Sequence, residues 1–161
     1  MATAASVFQA LNDIGSKLQP EMSERDVENL FIETGFYTSL VYEGTGVDIR
    51  SEYTLPDDRR PDFITLNNYH DVIAVYEFKT SGRDLAEHES QLFHYINELK
   101  SDYGVLTNGS ELRIYRRGEN RPIETFSVLS ITEQQAQNLA SNLKKRELDL
   151  SKSEDVRRFR E

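Results

Sequence analysis

Apolar residues in the first part of this 161-residue chain recur every three or four positions. This spacing predicts two helices, over about residues 7–18 and 24–34. Pro20 ends the first helix, and Ser23 followed by Asp26 resembles a capping box at the start of the second. The pattern then changes. Residues 36–42 favour a strand, and residues 43–56 favour an extended loop.

The middle of the chain is rich in short β-prone segments that are separated by turn residues. Residues 61–66 and 72–79 flank a polar turn and predict a hairpin, and a second hairpin surrounds Asn108-Gly109. A helix that begins near Asp84 separates the two hairpins. The remaining predicted elements are a strand within 122–128 and a charged helix over 131–150. This order of elements predicts an α/β protein with a central mixed sheet flanked by helices.

The chain length favours one compact domain. We assign residues 1–130 to it. Residues 131–161 are a C-terminal helix and charged tail that either belong to the same unit or lead to a missing domain. For the tail itself, a frayed terminus is favoured over a linker.

Charge and composition exclude several classes of protein. The chain has 19 Lys plus Arg, 28 Asp plus Glu, a net charge of -9 and no cysteine. Thiolate catalysis and thiolate metal sites are therefore excluded. No apolar run is long enough to cross a bilayer, and no secretory signal is present, so we expect a cytoplasmic protein without membrane contact. The acidity disfavours nucleic-acid binding unless basic residues are focused on one face.

Charged residues interrupt the end of the most apolar predicted strand. Side-chain alternation places Glu77 and Lys79 on one face with Ile73 and Val75, where burial of a carboxylate is costly unless it is compensated. If the hairpin pairs Asp62 with Glu77, their Cβ atoms lie about 5 Å apart. A shift of one residue would turn Asp62 to the other face.

Two carboxylates at this separation are typical of a hard-oxygen site for Mg²⁺ or Mn²⁺. Lys79 would lie beside the site, where it could position water and screen a phosphate. This combination of residues indicates hydrolysis of a phosphodiester.

The same residues resemble a known signature. Pro61-Asp62, fourteen intervening residues and Glu77-Phe78-Lys79 are similar to the motif of the PD-(D/E)XK, or restriction-endonuclease-like, nuclease superfamily. Downstream, Gln91 and Tyr95 form a Q-x-x-x-Y pair, and residues 103–109 read YGVLTNG. This context resembles the N-terminal nuclease domain of type I restriction enzyme R subunits and of fused restriction-modification proteins.

The resemblance implies a role for each matching residue. Asp62 and Glu77 would be metal ligands, and Lys79 the catalytic lysine. A glutamate of the second helix would complete the metal site, and we choose Glu24, with Glu28 as the alternative one turn later. Two further residues, Gln91 and Tyr95, would support the site and the DNA backbone.

The resemblance implies a Mg²⁺- or Mn²⁺-dependent DNA endonuclease domain, as the nuclease module of a restriction-modification system. Its acidity suggests that translocase, methyltransferase or specificity modules supply most of the DNA binding. Local basic groups are Arg59, Arg60, Arg83 and those within 113–121. The alternatives are a non-catalytic interaction domain that retains the nuclease fold and a stand-alone repair or structure-specific nuclease. In the simplest structural interpretation, Glu77 and Lys79 are an exposed strand end and Tyr95 is a core residue.

Overall fold

A six-stranded mixed sheet with helices on both faces organises residues 4–51 and 53–146, the part of the chain that the computed structural model describes. The helices are α1 (Ala4–Lys17), α2 (Glu24–Glu33), α3 (Phe36–Ser39), α4 (Glu89–Leu99) and α5 (Glu133–Leu143). The strands are β1 (Ile49–Arg50), β2 (Phe63–Leu66), β3 (Val72–Phe78), β4 (Tyr103–Thr107), β5 (Glu111–Arg116) and β6 (Glu124–Ser127). This architecture confirms the predicted fold class.

The strands lie side by side in the order of the sequence. Neighbouring strands are antiparallel except β3 and β4, which run parallel. The parallel pairing requires a crossover, and a 3-10 turn (Leu85–His88) followed by α4 provides it. Both predicted hairpins are confirmed: β2–β3 and β4–β5.

Alternating residues of the central strands bury into two separate cores. Tyr76 and Phe78 of β3 pack with α1, α2, α3 and α5, whereas Val75 packs with α4 on the other face. Each such side chain contributes roughly 1.5–3 kcal/mol on full burial. The sheet is therefore fixed from both sides, and the ends of β2 and β3 have a well-defined position.

Helix α4 approaches the sheet closely because residue 104 is glycine. A Cβ atom at Gly104 would lie 2.4 Å from Ile96 Cδ1 and 3.1 Å from Leu92 Cδ1. Real Cβ atoms do not approach side chains this closely. Gly104 thus sets the distance between α4 and β4.

The strand predicted over residues 36–42 is wrong, because this segment contains helix α3. Gly35, with φ 78°, redirects the chain after α2. Phe36, Tyr37 and Leu40 are all buried, a spacing that one helical turn satisfies and a strand does not. Phe36 packs edge-to-face on Phe31 of α2, with ring centroids 5.1 Å apart. Aromatic burial therefore overrides the β propensity of the segment.

Three other predicted segments differ from the structure. The loop predicted over 43–56 contains the short strand β1, and the helix predicted from about residue 84 begins with the 3-10 turn. Asp84 caps that turn by accepting a hydrogen bond from the N–H of Ala86. The helix predicted over 131–150 ends at Leu143.

The end of α5 is fixed by contacts made by the residues that follow it. Lys144 is extended, with φ -61° and ψ 151°. The Lys145 N–H donates to the carbonyl of Leu40 at 2.9 Å, and its Nζ lies 2.7 Å from Asp48 Oδ2. These contacts draw the chain away from the helix axis. The remainder of the predicted helix and the charged tail lie outside the described residues.

Helix α5 buries Ala136, Leu139 and Leu143 in the core that contains α1. The division of the chain at residue 130 stays a prediction. Within the described segments, no helix has the length and apolar character needed to cross a bilayer.

Candidate active site

Asp62 and Glu77 meet where β2 begins and β3 ends. The register pairs Phe63 with Tyr76, which places Asp62 beside Glu77 as predicted. The Asp62 N–H donates to Glu77 Oε1 at 3.0 Å, and the Phe78 N–H donates to Asp62 Oδ2 at 2.7 Å. Each carboxylate therefore accepts a hydrogen bond from the backbone of the opposite strand. This exchange fixes both side chains in one geometry.

Both carboxylates are largely shielded from water, and this burial raises both of their pKa values. Glu77 is 4% exposed, and burial raises its pKa to about 8, with a further contribution from the negative charge of Asp62. Burial also raises the pKa of Asp62, although the Phe78 N–H and the Lys79 charge oppose this. The one lysine beside the pair offsets these shifts only in part, and a bound cation would supply the remaining positive charge.

Lys79 follows β3 and lies between two acidic side chains. Its Nζ is 3.7 Å from Glu77 Oε2 and 4.0 Å from Glu24 Oε1, and its side chain is 12% exposed. The backbone N–H of Lys79 donates to the carbonyl of Thr107 at 2.9 Å, which extends the alignment with β4 beyond the end of the strand. Lys79 thus lies beside the carboxylate pair, as its motif position predicts.

Ser81 joins the loop after Lys79 to the segment before α2. Its Oγ accepts a hydrogen bond from the N–H of Met22 at 2.8 Å and donates one to the carbonyl of Gln19 at 3.0 Å. This contact brings the first turn of α2, which carries Glu24, against Lys79. Ser81 could not be identified from sequence, because an isolated serine in a loop carries no recognisable pattern.

Both candidate glutamates of α2 interact electrostatically with the carboxylate pair. Glu24 is 54% exposed in its side chain and faces Lys79. Burial raises the pKa of Glu28, and the negative charge of Asp62 is the next largest contribution. The negative charge of Glu24 also contributes to the raised pKa values of Asp62 and Glu77, so both glutamates remain candidates for a third ligand.

The carboxylate pair suits a hard divalent cation. Among residues 4–51 and 53–146, no group of three or more His, Asp or Glu side chains is arranged to hold a metal ion. Mg²⁺, however, commonly binds proteins through one or two carboxylates and retains several waters. Asp62 and Glu77 fit that donor set, and a ligand from α2 would have to rotate towards them.

Gln91 and Tyr95 form a hydrogen-bonded pair on the site-facing side of α4. Gln91 Nε2 donates to the Tyr95 hydroxyl at 2.7 Å, and that hydroxyl donates to the carbonyl of Arg60 at 3.1 Å. Arg60 lies two residues before Asp62. The pair therefore holds the backbone that leads into the site, and Tyr95 is at the same time a core residue, 1% exposed. Contact with a DNA backbone stays a prediction.

The face predicted for Ile73 is wrong. Val75 packs with α4, but Ile73 packs in the opposite core. The pairing shifts between Thr65 and Leu66, so that Leu66 pairs with Val72 and Thr65 with Ala74. This bulge interrupts alternation at the start of β3 and leaves the register at Glu77 unchanged.

Tyr37 contributes a buried hydroxyl near the acidic residues. Among the described residues, this hydroxyl has no hydrogen-bond partner. Burial raises the pKa of Tyr37 far above its usual range, and the charges of Glu28 and Asp62 add to the effect. Tyr37 was not among the residues predicted for the site, because its segment was predicted as a strand.

Comparison with known proteins supports the predicted resemblance. Residues 47–123 match the family described as the N terminus of the type I restriction enzyme R protein. The fold is similar to a chain in a cryo-EM structure of a DrdV–DNA complex, with a TM-score of 0.58, 17% sequence identity and coverage of 88% of this chain. The match spans 13% of the DrdV chain. No curated protein matches the sequence. The predicted resemblance to the N-terminal domain of type I restriction enzyme R subunits is thereby confirmed.

Proposed function

We propose that this chain, similar over residues 47–123 to the N terminus of type I restriction enzyme R proteins, is a Mg²⁺- or Mn²⁺-dependent DNA endonuclease domain. The observation that carries the proposal is the buried pair of Asp62 and Glu77, locked by reciprocal hydrogen bonds, with Lys79 Nζ 3.7 Å from Glu77. Structural ion pairs seldom leave two carboxylates so poorly compensated, because the arrangement lowers stability.

Asp62 and Glu77 would hold the metal ion, with Glu24 or Glu28 of α2 as a further ligand. A divalent ion at this position supplies Lewis acidity towards a phosphodiester and lowers the pKa of bound water.

The protein groups around the pair have separate tasks. The Asp62 and Phe78 N–H groups orient the carboxylates, so that no rearrangement is needed when substrate arrives. The Lys79 ammonium can donate to the attacking water or to a phosphate oxygen, and it offsets charge that develops on the phosphate. Glu24, on the far side of the lysine, restrains the ammonium near that position.

The family match supports a role within a restriction system. DNA is the proposed substrate, and translocase, methyltransferase or specificity modules are the proposed partners. The net charge of -9 favours this arrangement over a stand-alone nuclease, because such a chain binds DNA weakly without help.

Mn²⁺ titration calorimetry combined with plasmid nicking tests the proposal. Asp62→Asn removes one charge of the pair with little change in shape, and we expect it to abolish metal binding and to reduce nicking by about 100-fold or more. Asp58→Asn is the matched control, since Asp58 is exposed and lies in the loop before the site. Wild-type activity in Asp62→Asn would contradict the assignment.

A non-catalytic interaction domain with the same fold is the second candidate. The observation that favours it is that, within the described segments, no three His, Asp or Glu side chains are arranged to hold a metal ion together. Failure of the wild type to bind Mn²⁺ at millimolar concentration would support this candidate. Metal binding without nicking would instead indicate a nuclease module that requires its partner domains.

A further inference from the structure

A concave surface lies between α4 and the turn that joins β5 to β6. This groove has a volume of about 690 Å³ and is lined by Phe93, Ile96, Asn97 and residues 116–122. The turn is tight: the Glu119 N–H donates to the carbonyl of Arg116 at 3.1 Å, and Gly118 has φ 91°. Its conformation therefore presents several side chains towards α4 at once.

The groove is basic although the chain is acidic. Arg116, Arg117 and Arg121 line it, and Glu119 is the one carboxylate among its lining residues. Glu119 lies 4.0 Å from Arg116. Within the described part of the chain, neither Arg117 nor Arg121 forms an ion pair with an acidic side chain. Two guanidinium groups are thus left for an external anion.

The non-basic lining adds features that suit a nucleic acid. Phe93 and Pro122 form an apolar strip on which a sugar or an unstacked base could lie, and the Asn97 amide adds both a donor and an acceptor. Arginine pairs with phosphate in a bidentate manner, which makes it well suited to a phosphodiester backbone.

The groove lies a short distance from the candidate active site. Glu77 of β3 pairs with Leu106 of β4. Arg116 of β5 pairs with Tyr103, which lies three residues before Leu106 on β4. Three residues correspond to about 10 Å along the strands, and the two strand spacings from β3 to β5 add about 10 Å across them. The backbones of Glu77 and Arg116 are therefore about 14 Å apart. A DNA duplex covers the same distance in about four base pairs, each of which rises about 3.4 Å along the helix axis. Helix α4 lies between them, since Tyr95 faces the site and Phe93 faces the groove.

We propose that the groove between α4 and the β5–β6 turn binds the phosphodiester backbone of DNA outside the cleaved linkage, through Arg117 and Arg121. This inference rests on the proposed nuclease function for the identity of its ligand. The groove supplies positive charge that the acidic active site lacks.

Fluorescence anisotropy with a labelled 20-base-pair duplex in metal-free buffer tests this site separately from catalysis. The test variant is Arg117→Ala/Arg121→Ala. The matched control is Lys17→Ala/Arg50→Ala, which changes the net charge equally at exposed positions of α1 and β1. We expect the test variant to bind about tenfold more weakly than the control, with a salt slope smaller by about 1.8 because two phosphate contacts are lost.

Several results would overturn the groove assignment. These are equal binding by test variant and control, no duplex binding by the wild type at low salt, or preferential, arginine-dependent binding of a poly-glutamate peptide. The last outcome would identify the groove as a site for an acidic protein. Nicking assays on Asp62→Asn judge the proposed function independently, so failure of one proposal is distinguishable from failure of the other.

Discussion

At the scale of single residues, the carboxylate pair lowers the stability of the metal-free protein and, for the same electrostatic reason, favours the binding of a cation. Glu77 and Asp62 both have raised pKa values because burial disfavours their charged forms. Lys79 compensates one negative charge, and the backbone N–H groups compensate only in part. The folded protein therefore stores unfavourable electrostatic energy at this position when no cation is bound.

Glu77→Gln should stabilise the metal-free protein in alkaline buffer. A group whose folded pKa is raised stabilises the fold below its unfolded pKa, near 4.3, and this stability is lost as the pH rises through the folded value of about 8. At pH 8–9 with EDTA we expect the variant to be more stable by at least about 1 kcal/mol, or about 2–4 °C in melting temperature. The difference should vanish towards pH 4.

Thermal denaturation across this pH range provides the measurement. Glu98→Gln, an exposed change on α4, is the control and should melt like the wild type. Addition of Mn²⁺ should raise the melting temperature of the wild type and leave Glu77→Gln unchanged. A variant that melts below the wild type at pH 8 would contradict the electrostatic account.

At the scale of elements, the packing of α4 on β4 links the fold to the site. Gly104 allows α4 to approach, and α4 carries Tyr95, whose hydroxyl holds the Arg60 carbonyl. A displaced α4 would therefore move the backbone that positions Asp62.

Gly104→Ala tests this packing. The added methyl group would lie 2.4 Å from Ile96 Cδ1, so we expect a loss of about 1–3 kcal/mol in the free energy of unfolding. Urea denaturation measures the loss. Adding Ile96→Val removes the Cδ1 atom and should recover part of the stability. An unchanged unfolding midpoint in Gly104→Ala would show that the contact relaxes without cost.

The elements that could be predicted from sequence are those with strong local signals. The turn at Asn108-Gly109 and the Ser23 cap of α2 hold in the structure, since each depends on residues close in sequence. Helix α3 could not be predicted in this way because its conformation depends on Phe36 packing against distant aromatic rings.

The site shows the same division between local and non-local information. Asp62 and Glu77 come together through a hairpin register, which alternation and the motif spacing constrain. The Ser81 contact with residues 19–22 joins positions about sixty apart, and no local sequence pattern predicts it. The bulge beside Ile73 could not be predicted either, because it depends on how β2 and β3 pair rather than on the sequence of one strand.

At the scale of the whole molecule, a buried ion pair ties the C-terminal segment to the start of the sheet. Asp48 accepts the N–H groups of Glu43 and Gly44 and pairs with Lys145 Nζ at 2.7 Å. Burial would raise the pKa of Asp48, but these N–H groups and the lysine outweigh it and lower the pKa. Nearby, the Tyr42 hydroxyl donates to the carbonyl of Leu143. Helix α5 is thus anchored far from the candidate active site.

Lys145→Met should destabilise the protein without changing the nicking activity of the folded molecules. Removal of one partner leaves the Asp48 charge buried, and we expect a loss of about 3–5 kcal/mol. Because the pKa of Asp48 is lowered, its contribution is present above pH 4 and is lost in acid, so the variant should show a weaker decline in stability on acidification.

Urea denaturation at pH 7 and at about pH 2, where the Asp48 contribution is lost, provides the comparison, with the exposed Lys144→Met as control. Nicking per folded molecule should match the wild type. Equal stability of the two variants at pH 7 would exclude an energetic role for the ion pair.

The order of strand pairing also governs the course of folding. Asp62 and Glu77 belong to one hairpin, whose ends are fifteen residues apart and can meet early, within microseconds. The β3–β4 pairing joins residues about thirty positions apart and must wait for α4 to close the crossover. We therefore expect the two acidic groups to come together before β3 and β4 pair. Their mutual repulsion therefore acts on the nascent sheet, and divalent ions in the refolding buffer should accelerate its formation.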